Sequence, residues 1–159
     1  METRMTRETV VLLLAAGLAC SDAQRDGRSD TSFARLQSRG ESAMGVDQYT
    51  SAHRFEPLSD GGRIELQRDS ADRAGVETIR AHMRDIADRF SRGDFTIPGF
   101  VHARDVPGTR VMAERKAQIT YEARDLPGGA EVRIRAGDPV AVDAVHQFLD
   151  FQRSDHRAH

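Results

Sequence analysis

Two stretches of the chain show the same order of patterns: an alternating segment, a glycine-rich turn, a second alternating segment and an apolar stripe at helical spacing. Alternation over residues 47–57 predicts a strand, because successive strand residues point to opposite faces of a sheet. The turn at residues 59–62 leads to a return strand that carries Ile64 and Leu66. These features together predict a β-hairpin.

Each hairpin is followed by a segment that predicts a helix with one apolar face. The first helix is capped by Asp69 or Ser70 and ended by Gly93. The second begins at Asp138, with proline next in the chain at the first helical position. The buried face of the first helix is predicted to hold Val76, Ile79, Met83, Ile86, Ala87 and Phe90. That of the second is predicted to hold Ala141, Val145, Phe148, Leu149 and Gln152.

The second hairpin repeats the first, with alternation over residues 118–123, a turn at residues 127–129 and a return strand carrying Val132 and Ile134. A loop-rich stretch over residues 94–116 separates the two halves. The order ββα-ββα predicts an α+β fold, a four-stranded antiparallel sheet with two helices packed on one face. The parallel patterns suggest a duplicated unit.

The other face of this sheet is predicted to be polar. Two interpretations are open: a solvated face with cross-strand ion pairs, which the absence of aromatic residues favours, or a docking face for a partner. The residues expected there are Arg54, Glu56, Thr120, Glu122, Arg133 and Arg135.

The first 19 residues have the pattern of an export signal. Arg4 and Arg7 precede an apolar run at residues 10–19, which is shorter than the about 20 residues that a membrane-spanning helix needs. Small residues end the run. We therefore expect residues 1–19 to be a signal peptide that is removed.

The one cysteine of the chain, Cys20, follows that run directly. The segment Ala16-Gly17-Leu18-Ala19-Cys20 resembles the lipobox of bacterial lipoproteins. The resemblance implies a lipid on the Cys20 thiol, a membrane anchor on the periplasmic side of the cell envelope and, with Ser21 next, the outer membrane as the favoured location. An ordinary signal peptide cut near Ala19, leaving a free thiol, is the alternative.

Residues 20–44 are polar and glycine-containing, and they predict a lipidated cysteine followed by a flexible tether. Residues 45–159 then form the small α+β domain. The formal net charge of the chain is −2, and arginine and acidic residues are interspersed along it. No concentrated basic surface is expected, which argues against nucleic acid as a partner. The expected partners are the membrane, through the lipid anchor, and a protein or small ligand.

Histidines supply the candidate chemistry. His82 and His146 lie at the margins of the two apolar helix faces, and His53 lies on the same side of its strand as Phe55. We expect these three imidazoles to meet at one rim of the core, where His102 and Met112 from the central loop close over them. His156 and His159 lie near a chain end that is expected to fray, and they are left out of this cluster.

Imidazoles suit zinc and copper, and an added thioether favours copper. No histidine pair stands at helical i, i+4 spacing, so hydrogen bonding of the rings to neighbours such as Asp85 or Asp150 is the alternative. Nucleophile elbows, phosphate-binding loops and zinc-protease motifs are absent from the sequence. We therefore expect a binding or interaction module more than an enzyme, with periplasmic copper or zinc binding as the alternative function. A hydrolase or transferase would need a pocket that holds an acid–base pair.

Much of the domain, over about residues 44–157, resembles a family of small, uncharacterised exported bacterial proteins. The resemblance implies export but no defined activity. It is carried by Val46-Asp47-Gln48, His53-Arg54-Phe55, Asp60-Gly61-Gly62, Ile79-Arg80-Ala81-His82, Val106-Pro107-Gly108 and Val145-His146-Gln147-Phe148-Leu149.

Overall fold

A computed structural model describes the backbone of residues 16–158 and the side chains of residues 30–158. The chain divides into two units, residues 1–34 and residues 35–159. The helices are α1 (Ala16–Met44), α2 (Arg73–Ser91), α3 (Thr96–His102), α4 (Thr109–Glu114) and α5 (Pro139–Asp155). The strands are β1 (Ser51–Leu58), β2 (Gly61–Arg68), β3 (Ile119–Leu126) and β4 (Gly129–Ala136).

The four strands form one antiparallel sheet in the order β1-β2-β4-β3, which confirms the predicted fold class. The register places apolar residues in rows across the sheet. One row runs from Phe55 to Ile64, Val132 and Ala123. Because the two hairpins join through β2 and β4, the return strands of both halves form the centre of the sheet.

Helices α2 and α5 cover one face of the sheet, and all the residues predicted for their apolar faces are buried. Helix α2 packs mainly on β3 and β4, whereas α5 packs mainly on β1 and β2. Each helix therefore covers the hairpin of the other half of the chain.

Two glycines permit this close packing. A Cβ atom on Gly62 in β2 would clash with Leu149 of α5. A Cβ atom on Gly129 in β4 would clash with the Leu66 carbonyl and press on Ile79 of α2. The glycine-rich turns of the sequence thus serve the helix–sheet contact as well as the chain reversal.

The first predicted strand and the first predicted helix begin later than expected. Residues Gln48–Thr50 form a 3₁₀ turn, because the Asp47 carboxylate accepts a hydrogen bond of 2.8 Å from the Tyr49 amide. Helix α2 is capped by Asp72, which accepts from the Gly75 amide at 3.0 Å. Asp69 instead accepts from the amide of Ala71 in the turn before the helix. Neither difference changes which residues face the core.

The prediction of a loop-rich stretch over residues 94–116 is wrong in part, since α3 and α4 lie within it. Both helices are too short to give a recognisable apolar period. Helix α3 also contains Pro98 and Gly99, which usually indicate turns, and it ends at Ala103 in the left-handed conformation with φ 52°.

The last part of the segment predicted as a tether, residues 35–44, belongs to the second unit. Helix α1 continues to Met44, and the folded unit begins at residue 35 rather than 45. Leu36 and Met44 are buried, and Arg39 Nε donates a 2.6 Å hydrogen bond to the Val101 carbonyl. Leu36, Gly40 and Met44 stand four residues apart and form a narrow buried stripe on α1. Because their neighbours in the sequence are polar, this stripe gave no recognisable apolar period.

The uncovered face of the sheet carries the ion pairs predicted for it. Arg63 in β2 contacts Glu56, Glu65 and Glu131. At the other edge, Arg135 Nη1 lies 3.2 Å from a Glu122 carboxylate oxygen. Whether a partner docks on this face stays a prediction.

The predicted signal segment and lipid attachment fall largely outside the described residues. Residues 1–15 are not described, and of Cys20 only the helical backbone is. Among the residues that are described, no helix is long and apolar enough to cross a membrane.

Candidate functional site

A partly open pocket lies within the folded unit, between the sheet, helix α2 and helix α3. Its volume is about 90 Å³. The last turn of α1 contributes Gly40, Ala43 and Met44 to its wall. The other apolar lining residues are Phe55, Ile64, Leu66, Met83, Ile86, Phe90, Ile97, Pro98, Val101 and Phe148.

Four imidazoles from four parts of the fold line this pocket. His53 comes from β1, His82 from α2, His102 from the end of α3, and His156 from the residue that caps α5. The rings of His53 and His156 are stacked, with centroids 5.0 Å apart. His102 meets His156 edge-on, with centroids 5.1 Å apart. We call these four residues the imidazole cluster.

One member of the cluster is fixed by hydrogen bonds. His102 Nδ1 lies 2.5 Å from Asp155 Oδ2, and its Nε2 lies 2.9 Å from Gln152 Oε1. Its ring also packs edge-on against Phe151. His102 is therefore a rigid part of the wall.

The other three imidazoles have no hydrogen-bond partner among the side chains and backbone of residues 30–158, and His156 Nδ1 is fully buried. Gln48, which also lines the pocket, has its Oε1 buried without a partner, although its amide nitrogen donates to the Val46 carbonyl. Buried polar atoms are nearly always paired, so a pocket that holds two unpaired ones is unusual.

Burial keeps these three rings uncharged at neutral pH. Desolvation, with a smaller effect of His82, lowers the pKa of His53 to about 4. Desolvation, together with His53 and His102, lowers the pKa of His156 to about 3. Burial also lowers the pKa of His82, against the opposing effect of Asp85. Each neutral ring presents one N–H donor and one bare nitrogen lone pair.

Three of the five predicted site residues, His53, His82 and His102, line the pocket. The structure does not bring the other two, His146 and Met112, to this pocket. His146 stands ten residues before His156 on the same helix, roughly 15 Å away along its axis, and its Nε2 donates to the Leu58 carbonyl at 2.8 Å. Met112 is fully buried in the hydrophobic core, because the formation of α4 turns it inward.

His156 was missed because a fraying chain end was expected. Instead α5 extends to Asp155, the His156 amide donates to the Gln152 carbonyl at 2.9 Å, and the Ala158 amide donates to the Arg153 carbonyl at 2.9 Å. A signal was present: the spacing from residue 148 to 152 to 156 continues the apolar face of the helix.

The described lining of the pocket contains hydrogen-bond donors and acceptors. Its described lining residues include imidazoles, two amides and two thioethers, without a carboxylate, hydroxyl or cationic side chain. As the side chains of residues 30–158 stand, no three histidine, cysteine, aspartate or glutamate residues are grouped to hold a metal ion.

No family model, curated protein or solved structure matches the chain. Fold and site therefore define the class of protein by themselves. It is an α+β domain with a four-stranded antiparallel sheet, two helices that cover one face, and an apolar pocket lined by imidazoles.

Proposed function

We propose that this protein is a lipid-anchored binding module of the cell envelope, and that it holds a small ligand in the pocket of the imidazole cluster. The unpaired polar atoms in that pocket support the binding role. Gln48 Oε1 and His156 Nδ1 are buried without partners, and His53 and His82 add further free ring nitrogens.

Leaving a buried donor or acceptor unpaired costs about 1–3 kcal/mol, so the two such atoms in this pocket oppose folding unless a ligand satisfies them. Apolar walls with a few convergent polar groups are the usual construction of a ligand site. With His53, His82 and His156 neutral and no carboxylate or cationic group in the lining, the pocket favours an uncharged molecule or a soft cation over an anion.

A substitution that fills the pocket should abolish binding. We expect neutral indole, whose single N–H can donate to a bare imidazole nitrogen, to bind saturably with a Kd of about 1 mM or tighter. Ala43→Phe places a ring into the pocket and should remove this binding. Titration with indole, monitored by NMR of the imidazole resonances, measures binding to the native protein and its loss in the variant.

Ser42→Phe is the matched control, because Ser42 is the exposed neighbour of Ala43 on α1. Indole binding should persist in this variant. Undisturbed imidazole resonances in the native protein at saturating indole, or equal binding by both variants, would contradict the assignment of the pocket.

The lipid anchor has its own prediction. The full chain, expressed in a bacterial host fed labelled palmitate, should take up the label and sediment with membranes, because the lipobox-like segment places Cys20 for acylation. Cys20→Ser should lose both properties. If the serine variant still sediments with membranes and neither form takes up label, the anchoring account is wrong.

A further inference from the structure

We propose that the uncovered face of the sheet is the interface of a symmetric homodimer, in which this face of one copy packs against the same face of a second copy. The inference goes beyond the ligand pocket, which lies on the helix side of the sheet. It is carried by the arrangement of charges on the four strands.

Each strand carries one arginine and one glutamate on this face, two residues apart, so that both side chains point the same way. The strand register aligns these residues into two charged rows across the sheet, and each row is the charge inverse of the other. In the order β1, β2, β4 and β3, the first row consists of Glu56, Arg63, Arg133 and Glu122, and the second of Arg54, Glu65, Glu131 and Arg124.

The centre of this pattern does not suit an isolated face. Arg63 lies opposite Arg133, and Glu65 lies opposite Glu131, although like charges directly opposite on neighbouring strands are destabilising. Contacts within β2 and along the diagonal offset part of this repulsion, since Arg63 lies 3.1 Å from Glu65 and 3.5 Å from Glu131. A face that only had to be solvated would gain from alternating charges across the strands, whereas this one alternates along them.

A second copy complements the pattern in one orientation. With the two-fold axis perpendicular to the strands and between the two charged rows, each strand lies antiparallel over the same strand of the second copy. Every charge then faces an opposite one, so that Glu56 meets Arg54 of the second copy and Glu122 meets Arg124 of the second copy. A two-fold axis parallel to the strands would instead place Glu56 over Glu122 of the second copy, and the repulsion of like charges opposes it.

The rows that flank the charged rows are compatible with the same orientation. They face each other across the two-fold axis, and the one charged residue in them, Arg135, meets a glycine of the second copy, so no like charges are brought together. One flanking row consists of Leu58, Gly61, Arg135 and Thr120, and the other of Ala52, Gln67, Gly129 and Leu126.

The outer strands present the most accessible charges. The side chains of Arg54, Glu122 and Arg124 are 56%, 50% and 51% exposed. Arg133, at the centre, donates to the Gly62 carbonyl at 3.0 Å and lies along the sheet. The outer strands would therefore supply the main ion pairs between the copies.

The size of the face predicts a weak dimer. Four strands of eight residues cover about 500 Å² at ordinary strand spacing, so a dimer would bury about 1,000 Å² in total. This area is at the lower limit of specific interfaces. Because exposed charges hold the two copies together, the dimer should depend on ionic strength.

Analytical ultracentrifugation of the full chain with Cys20→Ser tests the dimer, since this change removes the thiol that could link two copies. We expect a reversible dimer with a Kd of about 100 μM or tighter in about 0.05 M salt. About 0.5 M salt should weaken it by about tenfold or more, because salt screens exposed charges. Association through apolar surface would not weaken in this way.

Two variants of β3 in that background test the orientation. Arg124→Glu makes the exposed charges of β3 acidic, and Glu122→Arg makes them basic. Each should weaken self-association by about tenfold or more, since like charges then face each other twice across the two-fold axis. An equimolar mixture should restore a dimer of one acidic and one basic copy, which a merely misfolded variant could not do.

Arg110→Glu is the matched control, because Arg110 is exposed and paired with Glu114 on α4, which packs against α5. It should leave the Kd unchanged, and circular dichroism confirms that each variant is folded. A Kd weaker than about 100 μM in low salt overturns the proposal. So does association that neither β3 variant weakens, an equal loss in the Arg110→Glu control, or a mixture that restores no dimer.

Discussion

Acidifying the metal-free protein from pH 7 to pH 5 is expected to lower its free energy of unfolding by about 4 kcal/mol. The pKa of His53 falls from 6.5 to about 4 in the folded state, and that of His156 to about 3. Above pH 6.5 both rings are neutral in either state, and stability is unaffected. Between pH 6.5 and the folded pKa values, only the unfolded chain takes up protons, so stability falls with pH.

The magnitude follows from the pKa difference. At pH 5 each ring contributes about 2 kcal/mol, since one pKa unit corresponds to about 1.36 kcal/mol. His82 acts in the same direction. Exposed carboxylates such as Glu56 and Asp60 have pKa values lowered by their arginine partners, and they lose that stabilisation only as pH falls below their ordinary range, under pH 5.

Urea unfolding at pH 7, 6 and 5 in the presence of a chelator measures this dependence. The double variant His53→Phe and His156→Phe keeps two stacked rings but cannot titrate, and it should lose most of the dependence. His146→Gln, outside the pocket, should keep it. A native stability that is flat from pH 7 to pH 5 would show that the cluster is not buried in neutral form.

Phe90→Ala is expected to destabilise the domain by about 3–5 kcal/mol. Phe90 is 1% exposed, and its ring packs against Phe95, Tyr121 and Phe148, with centroids 4.4, 5.7 and 5.8 Å away. These neighbours belong to β3, α5 and the segment before α3. The truncation would therefore leave a cavity between several elements, and these elements cannot fill it by moving towards one another.

Phe100→Ala is the matched control for that experiment. Phe100 lies on α3 and is 53% exposed, so its loss should change the free energy of unfolding by no more than about 0.5 kcal/mol. Chemical denaturation at pH 7 compares the two. Similar small losses in both variants would mean that the aromatic cluster around Phe90 is not a rigid part of the core.

The spacing of the apolar residues and the positions of the turn-forming residues were sufficient to predict most of the fold. Val76, Ile79 and Phe90 on α2, like Val145 and Leu149 on α5, are buried as their spacing indicates. The sequence pattern could not predict elements that have no hydrophobic period of their own. Helices α3 and α4 are too short, and the packed end of α1 buries only a narrow stripe, so tertiary contacts decide these segments.

The site was predictable only in part, for a related reason. Strand and helix geometry fix which way a residue points, and His53 and His82, which the pattern directed towards the core, both line the pocket. The predicted cluster took no account of position along the helix axis. His146 lies away from the other histidines because it stands earlier along the axis of α5. His156 and Gln48 depend on an ordered cap and on a 3₁₀ turn, neither of which leaves a strong local signature.

The exchange of covering helices between the two hairpins has an evolutionary consequence. A lone ββα half would present its hairpin without the helix that shields it, because that helix belongs to the other half. If both halves descend from one ancestral segment, that segment had to associate as an intertwined pair before a gene fusion joined the copies.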